Sequence, residues 1–287
     1  MNSPTNFLGK LLSKLNGQVA FLGPEATFTH AATLKAFGES SELVPEPSIL
    51  AVFESVTRNE RSLGVVPIEN STEGSVNLTL DALYNHPALR IVGEVVLQIE
   101  QCLIGEGPLD NSVVEVVSHP HALPQCRSWL SRHIPQARWR TVSSTAAAAE
   151  QVKGDPSRVA VASALAASRF DLRLLKRGIQ DTKDNATRFV VLGREGIAPT
   201  GHDKTSVVFS AKHEQGALLR ILSVLDEHGI NLSRIESRPL PNTLWEYLFY
   251  VDLLGHSEES GVRSALNAIT DAGNRVRVFG SYPTTTR

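Results

Sequence analysis

The chain is poor in the residues that usually announce a chemistry. It has two cysteines and one methionine in 287 residues, and aromatics make up only 6%. Cys102 and Cys126 have no neighbour at metal-ligand spacing, and two thiols in a chain of this length make no disulfide framework. They read as small buried apolar side chains. No sign of charge dominates: 28 basic residues face 30 acidic ones, net −2, with no basic block. That removes the electrostatic footprint of a nucleic-acid partner or an anionic membrane surface. No stretch approaches the ~18 consecutive apolar residues that a membrane-spanning helix needs. No GxGxxG follows any apolar strand, which disfavours a dinucleotide fold. His119 and His121 lack a third ligand at usable spacing, and Pro120 between them is expected to turn the two rings apart. A metal site is therefore disfavoured.

Met1–Gly17 carries Leu8, Leu11, Leu12 and Leu15 at helical spacing with Lys10 and Lys14 among them. This is an amphipathic pattern and not the continuous apolar core of an export signal, so residues 1–17 are expected to form a surface helix or frayed arm. The sequons at Asn70, Asn77, Asn185 and Asn231 are then chance matches, and the expected location is cytoplasmic.

What the chain does contain is an alternation of short apolar strands and helices. Gln18–Leu22 ends in the turn Gly23-Pro24-Glu25-Ala26-Thr27 and leads into a helix. Such turns lie where ligands bind in open α/β sheets. Leu63–Ile68 runs into Glu69-Asn70-Ser71-Thr72-Glu73-Gly74-Ser75, dense in hydroxyls and amides, before a helix with Leu80 and Leu83. Asn70, Ser71 and free N–H groups at the helix start suit a carboxylate; Ser71 or Ser75 as an ordinary cap is the alternative. Residues 89–104 form one long strand or two. Val113–Val117 leads into Ser118-His119-Pro120-His121 and Gln125-Cys126, and Ala137–Val142 into Ser143-Ser144-Thr145 and an alanine-rich helix. Two βα sets joined by long strands point to two lobes, crossed near 90–104 and again near 178–193.

Asp184-Asn185-Ala186-Thr187-Arg188-Phe189 then feeds a polar turn straight into the apolar run Val190–Gly193. A constellation so placed sits at the mouth of a sheet and closes the cleft. Gly196–Lys204 reads as a linker. Beyond it the pattern changes to strand 205–211, helix 217–228, strand 232–237, strand 244–253, helix 260–272 and strand 275–279. This βαββαβ order is ferredoxin-like, a unit that often completes itself by pairing with a second copy.

In this order the motifs resemble prephenate dehydratase with a C-terminal ACT domain. They are Gly23-Pro24-x-x-Thr27-Phe28, Pro67-Ile68-Glu69-Asn70-Ser71 with Gly74-Ser75-Val76, Ser118-His119-Pro120 with Gln125-Cys126, Ser144-Thr145-Ala146, Ile179-Gln180-Asp181 and Asn185-x-Thr187-Arg188-Phe189. Gly216-Ala217-Leu218 and Glu236-Ser237-Arg238-Pro239 follow in the tail. The resemblance implies an α/β fold: a two-lobed, periplasmic-binding-protein-like catalytic domain over 18–196, then a ferredoxin-like ACT regulatory domain over 205–283. The lobes would be about 18–93 plus 179–196, and 94–178. It implies conversion of prephenate to phenylpyruvate without metal or cofactor, under feedback by L-phenylalanine, in a homodimer or homotetramer. By the same resemblance Thr187 is the proposed acid. Thr27, Asn70, Ser71, Ser118, Gln125, Ser144, Thr145, Arg188 and Phe189 are substrate contacts. Gly216, Ala217, Leu218, Asn231, Glu236, Ser237 and Arg238 are effector contacts.

From the chemistry, Arg188 is expected to hold the pyruvyl carboxylate or orient Thr187, with an ion pair to Asp181 or Asp184 as its structural alternative. Phe189 is expected as pocket wall or core. Ala26 replaces the family's usual glycine and His121 its glutamine, and 17 residues are too few for the chorismate mutase domain that some members carry. Two other readings fit the same residues: the same reaction on arogenate, and a two-lobed carboxylate-binding protein without catalysis.

Overall fold

The computed structural model describes residues 4–15, 17–211, 214–240 and 246–284. Helix α1 (Pro4–Leu15) precedes β1 (Val19–Leu22), α2 (Phe28–Phe37), β2 (Leu43–Glu46), α3 (Ile49–Arg58), β3 (Leu63–Asn70), β4 (Gly74–Ser75), α4 (Asn77–Asn85) and β5 (Arg90–Gln98). The second lobe holds β6 (Cys102–Gly105), β7 (Glu115–Ser118), α5 (Ala122–Gln125), α6 (Arg127–His133), β8 (Arg138–Thr141), α7 (Thr145–Val152), β9 (Arg158–Ala162), α8 (Ala164–Phe170) and β10 (Arg173–Lys176). The chain returns through β11 (Ala186–Gly193). It ends in β12 (Asp203–Ala211), α9 (Ala217–Glu227), β13 (Leu232–Pro239), β14 (Tyr247–Leu254), α10 (Ser260–Asp271) and β15 (Arg275–Pro283). The expected strand over 244–253 is present from Tyr247; Leu244 and Trp245 lie outside the described residues.

Three sheets result. The first runs β2-β1-β3-β11-β5 with β4 on β3, the second β10-β6-β9-β7-β8, and the third β13-β14-β12-β15. The apolar stretch 89–104 is two strands, β5 in the first sheet and β6 in the second. Pairing of β5 with β11 continues to Gln98, so the chain leaves the first lobe after residue 98 and not near 94. Hydroxyl caps start the helices that matter to the cleft. Thr27 accepts from the His30 N–H at 3.3 Å, and Ser144 from that of Ala147 at 2.9 Å. Each satisfies one of the N–H groups that a helix start leaves open.

The turn Gly23–Thr27 joins the lobes. Ala26 has φ 66° and is fully buried within the second lobe's alanine-rich core. A positive φ favours glycine, which explains the residue usual at that place; here the methyl gains packing instead. The Ser163 hydroxyl donates to the Ala26 carbonyl at 3.1 Å, and the Ala26 N–H donates to His30 Nδ1 at 2.9 Å. Burial lowers the His30 pKa, with Arg169 adding to the effect against Glu25. The ring stays neutral, as an acceptor at Nδ1 requires.

The third sheet does not stand apart as a separate module. Its residues Val208, Leu248, Tyr250, Phe279 and Tyr282 share one apolar cluster with Leu80, Leu83, Ile91, Val190 and Leu192 of the first lobe. The other face packs on α9 and α10 through Val207, Phe209, Val251 and Leu253. Strand β14 alternates between the two faces, so both are covered within one chain. At Gly280 the backbones of β15 and β5 touch, and a Cβ there would collide with the Ile91 carbonyl oxygen. Arg277 donates to the carbonyls of Leu83 and Tyr84 at the end of α4, where a cation also suits the helix dipole.

The N-terminal arm is docked, not frayed. Leu8 is 2% exposed and packs against Gly93 in the first lobe's core. Leu8→Ala is expected to cost about 2–5 kcal/mol, measured by urea unfolding of the full chain. A change near zero would mean that α1 is only a surface arm.

Candidate active site between the lobes

A cleft of about 530 Å³ separates the first two sheets. From the first lobe it is lined by Thr27, Phe28, Thr29, Asn70, Thr187 and Phe189, and from the second by His119, His121, Gln125, Ser143, Ser144 and Thr145. The starts of α2 and α7 therefore open into it from opposite sides. The caps Thr27 and Ser144 each take the N–H three residues on. In an α-helix the N–H groups before that one have no partner inside the helix. Among the described lining residues there is no lysine or arginine, and Glu73 is the one carboxylate.

Thr187 stands on β11 with its side chain toward this space, 9% exposed. Asn70 Nδ2 donates to Thr187 Oγ1 at 2.8 Å and to Asn185 Oδ1 at 2.9 Å. Asn70 Oδ1 accepts the N–H groups of Thr72 and Glu73. The amide is thus locked by its own turn, an Asx arrangement that Asn favours. No protein acceptor takes the Thr187 hydroxyl proton among the described residues. The threonine oxygen is occupied by a donor, and its O–H is left to point at whatever fills the cleft.

The polar groups continue across to the second lobe. Asn185 Nδ2 donates to Gln125 Oε1 at 3.1 Å, Gln125 Nε2 donates to Glu73 Oε1 at 2.7 Å, and Glu73 Oε2 meets His121 Nδ1. Gln101 also donates to Gln125. Glu73 belongs to the first lobe and His121 and Gln125 to the second, so these contacts span the cleft. His119 stacks on His121 with centroids 5.2 Å apart, where the two rings were expected to diverge. Burial, then the nearby His121, lowers the His119 pKa against the pull of Glu73, so its ring is neutral near pH 7.

Several expected contacts are placed elsewhere. Arg188 does not reach the cleft. Adjacent strand residues face opposite ways, and its guanidinium lies on the far side of β11, 2.6 Å from Asp252, 3.3 Å from Glu94 and 3.3 Å from Glu69. The ion pair expected with Asp181 or Asp184 is not its role either; the Asp181 carboxylate takes the N–H groups of Ser128 and Trp129. Ser118 is fully buried and donates to the Val161 carbonyl at 2.6 Å. It is a strand-to-strand tie, not a substrate contact. Ser71 accepts the Ala186 N–H and donates to the Asp184 carbonyl, so its hydroxyl is spent on holding the entry to β11. The amides of the loop itself are already taken: those of Thr72 and Glu73 go to Asn70 Oδ1, that of Ser71 to Ala186 O and that of Val76 to Ile68 O. Neither Ser71 nor Ser75 caps α4. Phe189 is 1% exposed, part core and part cleft wall.

The expected effector residues do not gather in one place within the chain. Gly216, at φ 77°, and Ala217 begin α9. The cavity that Ala217 lines lies between α9 and α10 and includes none of Leu218, Asn231, Glu236, Ser237 or Arg238. Leu218 packs against the third domain's core, and Asn231 accepts the Leu254 N–H through its carbonyl. Glu236 accepts from Ser75, and Arg238 pairs with Asp81, both in the first lobe. Ser237, between them, faces the other side of β13 and is exposed. Sequence reasoning passed over Asn185, Glu73 and Gln101. Asn185 stood in plain view two residues before Thr187, and its burial to 2% is what marks it.

Fold and site together define a two-lobed α/β domain with an interlobe cleft, followed by a small regulatory-type sandwich. The family model for prephenate dehydratase matches residues 19–197, and that for the ACT domain matches 205–271. The bifunctional chorismate mutase/prephenate dehydratase of Aquifex aeolicus is 45% identical over 266 residues, 93% of this chain and 73% of that protein. A crystal structure of prephenate dehydratase from Arthrobacter aurescens in complex with L-Phe superposes with a TM-score of 0.85 at 36% identity, covering 93% of this chain and 90% of that one. GqqA, described as a novel type of quorum quenching acylase, superposes at 0.83 with 29% identity, over 93% and 97%. The chain belongs to the prephenate dehydratase family. The third likeness is a reminder that a fold hosts more than one reaction and that function has to be argued from the site.

Ser118→Ala is expected to cost about 1 kcal/mol of stability and to leave the enzymatic rate unchanged. A rate loss at full folding, followed by thermal melting and activity assays, would return Ser118 to the site.

Proposed function

We propose that this protein converts prephenate to phenylpyruvate, supplying L-phenylalanine synthesis and inhibited by its end product. The observation that carries the reading is the Thr187 hydroxyl, with its oxygen filled by Asn70 at 2.8 Å and its proton left for the cleft. Prephenate is a dianion whose ring carboxylate and ring hydroxyl leave together. The electron pair of the C–CO₂ bond moves into the ring as the C–OH bond breaks, the ring becomes aromatic, and the departing oxygen takes a proton. One proton is consumed for each CO₂ and water released. Thr187 donates to the departing oxygen as the C–O bond lengthens and regains a proton from solvent as the products leave; Asn70 keeps the hydroxyl in the orientation that serves this step.

The absence of lysine and arginine among the described residues of the cleft lining suits the other half of the reaction. A guanidinium tight against the departing carboxylate would stabilise the ground state and oppose loss of CO₂. The starts of α2 and α7 offer N–H groups and partial positive charge for the pyruvyl carboxylate instead. Glu73, His121 and Gln125 close one side of the cleft and keep the substrate's position. No step here calls on a metal or an organic cofactor.

Regulation by L-phenylalanine is proposed for this chain on the strength of the relative solved with that ligand. A homodimer or homotetramer belongs to the same reading, supported by the outer edge strand β13 with exposed Ile235. So does a cytoplasmic location, supported by two buried free thiols. No described helix is long and apolar enough to cross a membrane.

Purified protein is expected to form phenylpyruvate from prephenate, read by its absorbance in alkali, faster than from arogenate. Thr187→Ala is expected to lower kcat by about 10²–10⁴ with KM little changed, and Thr187→Ser to recover part of the loss. Full activity in Thr187→Ala would overturn its role. Prephenate binding by calorimetry without turnover would favour a carboxylate-binding protein.

A further inference from the structure

Thr187 and Arg188 are neighbours on β11 that look in opposite directions. Thr187 faces the cleft; Arg188 faces the third sheet. Arg188 Nη2 lies 2.6 Å from Asp252 Oδ2 on β14. Asp252 is held from behind as well: the Ser206 hydroxyl donates to its Oδ1 at 2.6 Å, and the Tyr282 hydroxyl meets Ser206 at 2.7 Å. Burial works against charge on Asp252, yet Arg188, the Ser206 hydroxyl and Arg234 outweigh it and hold the carboxyl below its ordinary range. Burial likewise opposes the charge on Arg188, and Asp252, Tyr282, Glu94 and Glu69 overcome it. The pair is ionised, and the side chains are 11% and 2% exposed.

The sheet pins the backbone here from one side only: against β5 the pairing runs unbroken from Ala186, opposite Gln98, to Val191, opposite Gly93. Against β3 the register slips between Arg188, which sits opposite Glu69, and Phe189, which sits opposite Pro67. The extra residue, Ile68, is on β3; such a bulge bends the strand that carries it and disrupts the ladder to its neighbour. On the β3 side the ladder gives β11 less hold, and the anchors on the Arg188 side chain add to the β5 pairing in setting how the strand is rotated. The same rotation sets where the Thr187 hydroxyl points.

We infer that Asp252, in the ACT domain, is a positioning residue for the reaction: through Arg188 it holds β11 in the orientation that aims Thr187 into the cleft. The inference rests on the prephenate dehydratase reading above. It also gives the third domain a direct hold on the first. A displacement of β14 carries Asp252 with it, and the 2.6 Å contact survives only if Arg188 and its strand follow.

Asp252→Asn in the full chain removes the charge and keeps an oxygen for Ser206. Assayed well below its melting temperature, it is expected to lose about 10²-fold in kcat, the effect of a misplacement near one ångström. KM for prephenate should stay within about twofold, since Asp252 touches nothing in the cleft lining. Arg188→Lys should show the same split, and the double variant should be no slower than about the slower single, because residues acting as one unit are not additive. A purely structural role would lower the melting temperature and leave kcat alone. An unchanged kcat in folded Asp252→Asn, or losses that multiply in the double variant, overturns the inference. If Asp252→Asn does not fold, Ser206→Ala decides: kcat is expected to fall about tenfold, the worth of a hydrogen bond to a charged group, and an unchanged kcat overturns the inference. A wild-type chain without prephenate turnover is a separate failure that removes the reading itself; an active wild type with unaffected variants removes the positioning role alone.

Discussion

Three cations and three carboxylates meet between the first lobe and the third sheet: Arg188, Lys204 and Arg234 with Glu69, Glu94 and Asp252. They come from β11, β12, β13, β3, β5 and β14. Removing charges from water is costly, and a buried pair repays that cost only when every charge is matched and its remaining valences are filled. Here the signs balance, and Ser206 fills a second oxygen of Asp252. The cluster fits only one relative placement of the two domains. The apolar contact around it, Tyr250 and Phe279 against Val190 and Ile91, follows from that placement. A slip of one residue along β11 would turn Arg188 into the cleft and Thr187 into the charge cluster.

That constraint divides the labour on one strand. The cationic side of β11 is spent on holding the domains together, and the cleft side carries a hydroxyl and an aromatic ring. In the proposed reaction a dianionic substrate would be met by peptide N–H groups and side-chain amides in place of a guanidinium. For a reaction that must discharge one carboxylate as CO₂ this is the better environment, because partial charges orient an anion without trapping it. The lobes meet over a line of amides from Asn70 through Asn185 to Gln125. Every link is a hydrogen bond between neutral groups until Glu73 and His121 at the rim.

Much of this was legible in the residues. The order of most strands and helices, the two lobes, the ferredoxin-like tail and the seam at Thr187-Arg188-Phe189 followed from apolar periodicity and turn chemistry; the short strands β2, β4 and β10 did not. A hydroxyl cap from Ser144 or Thr145 on the alanine-rich helix was visible in the same way, and Ser144 is the one that accepts the Ala147 N–H. Where the expectation that Arg188 holds the pyruvyl carboxylate went astray, the needed signal was present: if Thr187 faces the cleft from a strand, period two forbids Arg188 from doing so. The other expectation, that Arg188 orients Thr187, is the positioning role inferred for it together with Asp252. Its partners were not readable, since Glu94 and Asp252 lie 94 and 64 residues away along the chain. Ser118 and Ser71 looked available because a hydroxyl in a loop motif carries no mark of being already bonded. Their acceptors are backbone carbonyls, of Val161 and Asp184, which no residue pattern records. The docking of Leu8 was hidden for a related reason: an amphipathic helix does not say which groove receives it.

The central claim is that the cleft holds its substrate by helix N-termini and amides and acts through Thr187, with Arg188 turned away. A crystal structure of the protein with a non-reactive prephenate analogue tests it most directly. The account predicts a carboxylate within hydrogen-bond distance of N–H groups at the start of α2 or α7, the ring hydroxyl beside Thr187 Oγ1, and Arg188 still on Asp252. An analogue whose carboxylate sits on Arg188, or whose hydroxyl lies away from Thr187, would contradict it.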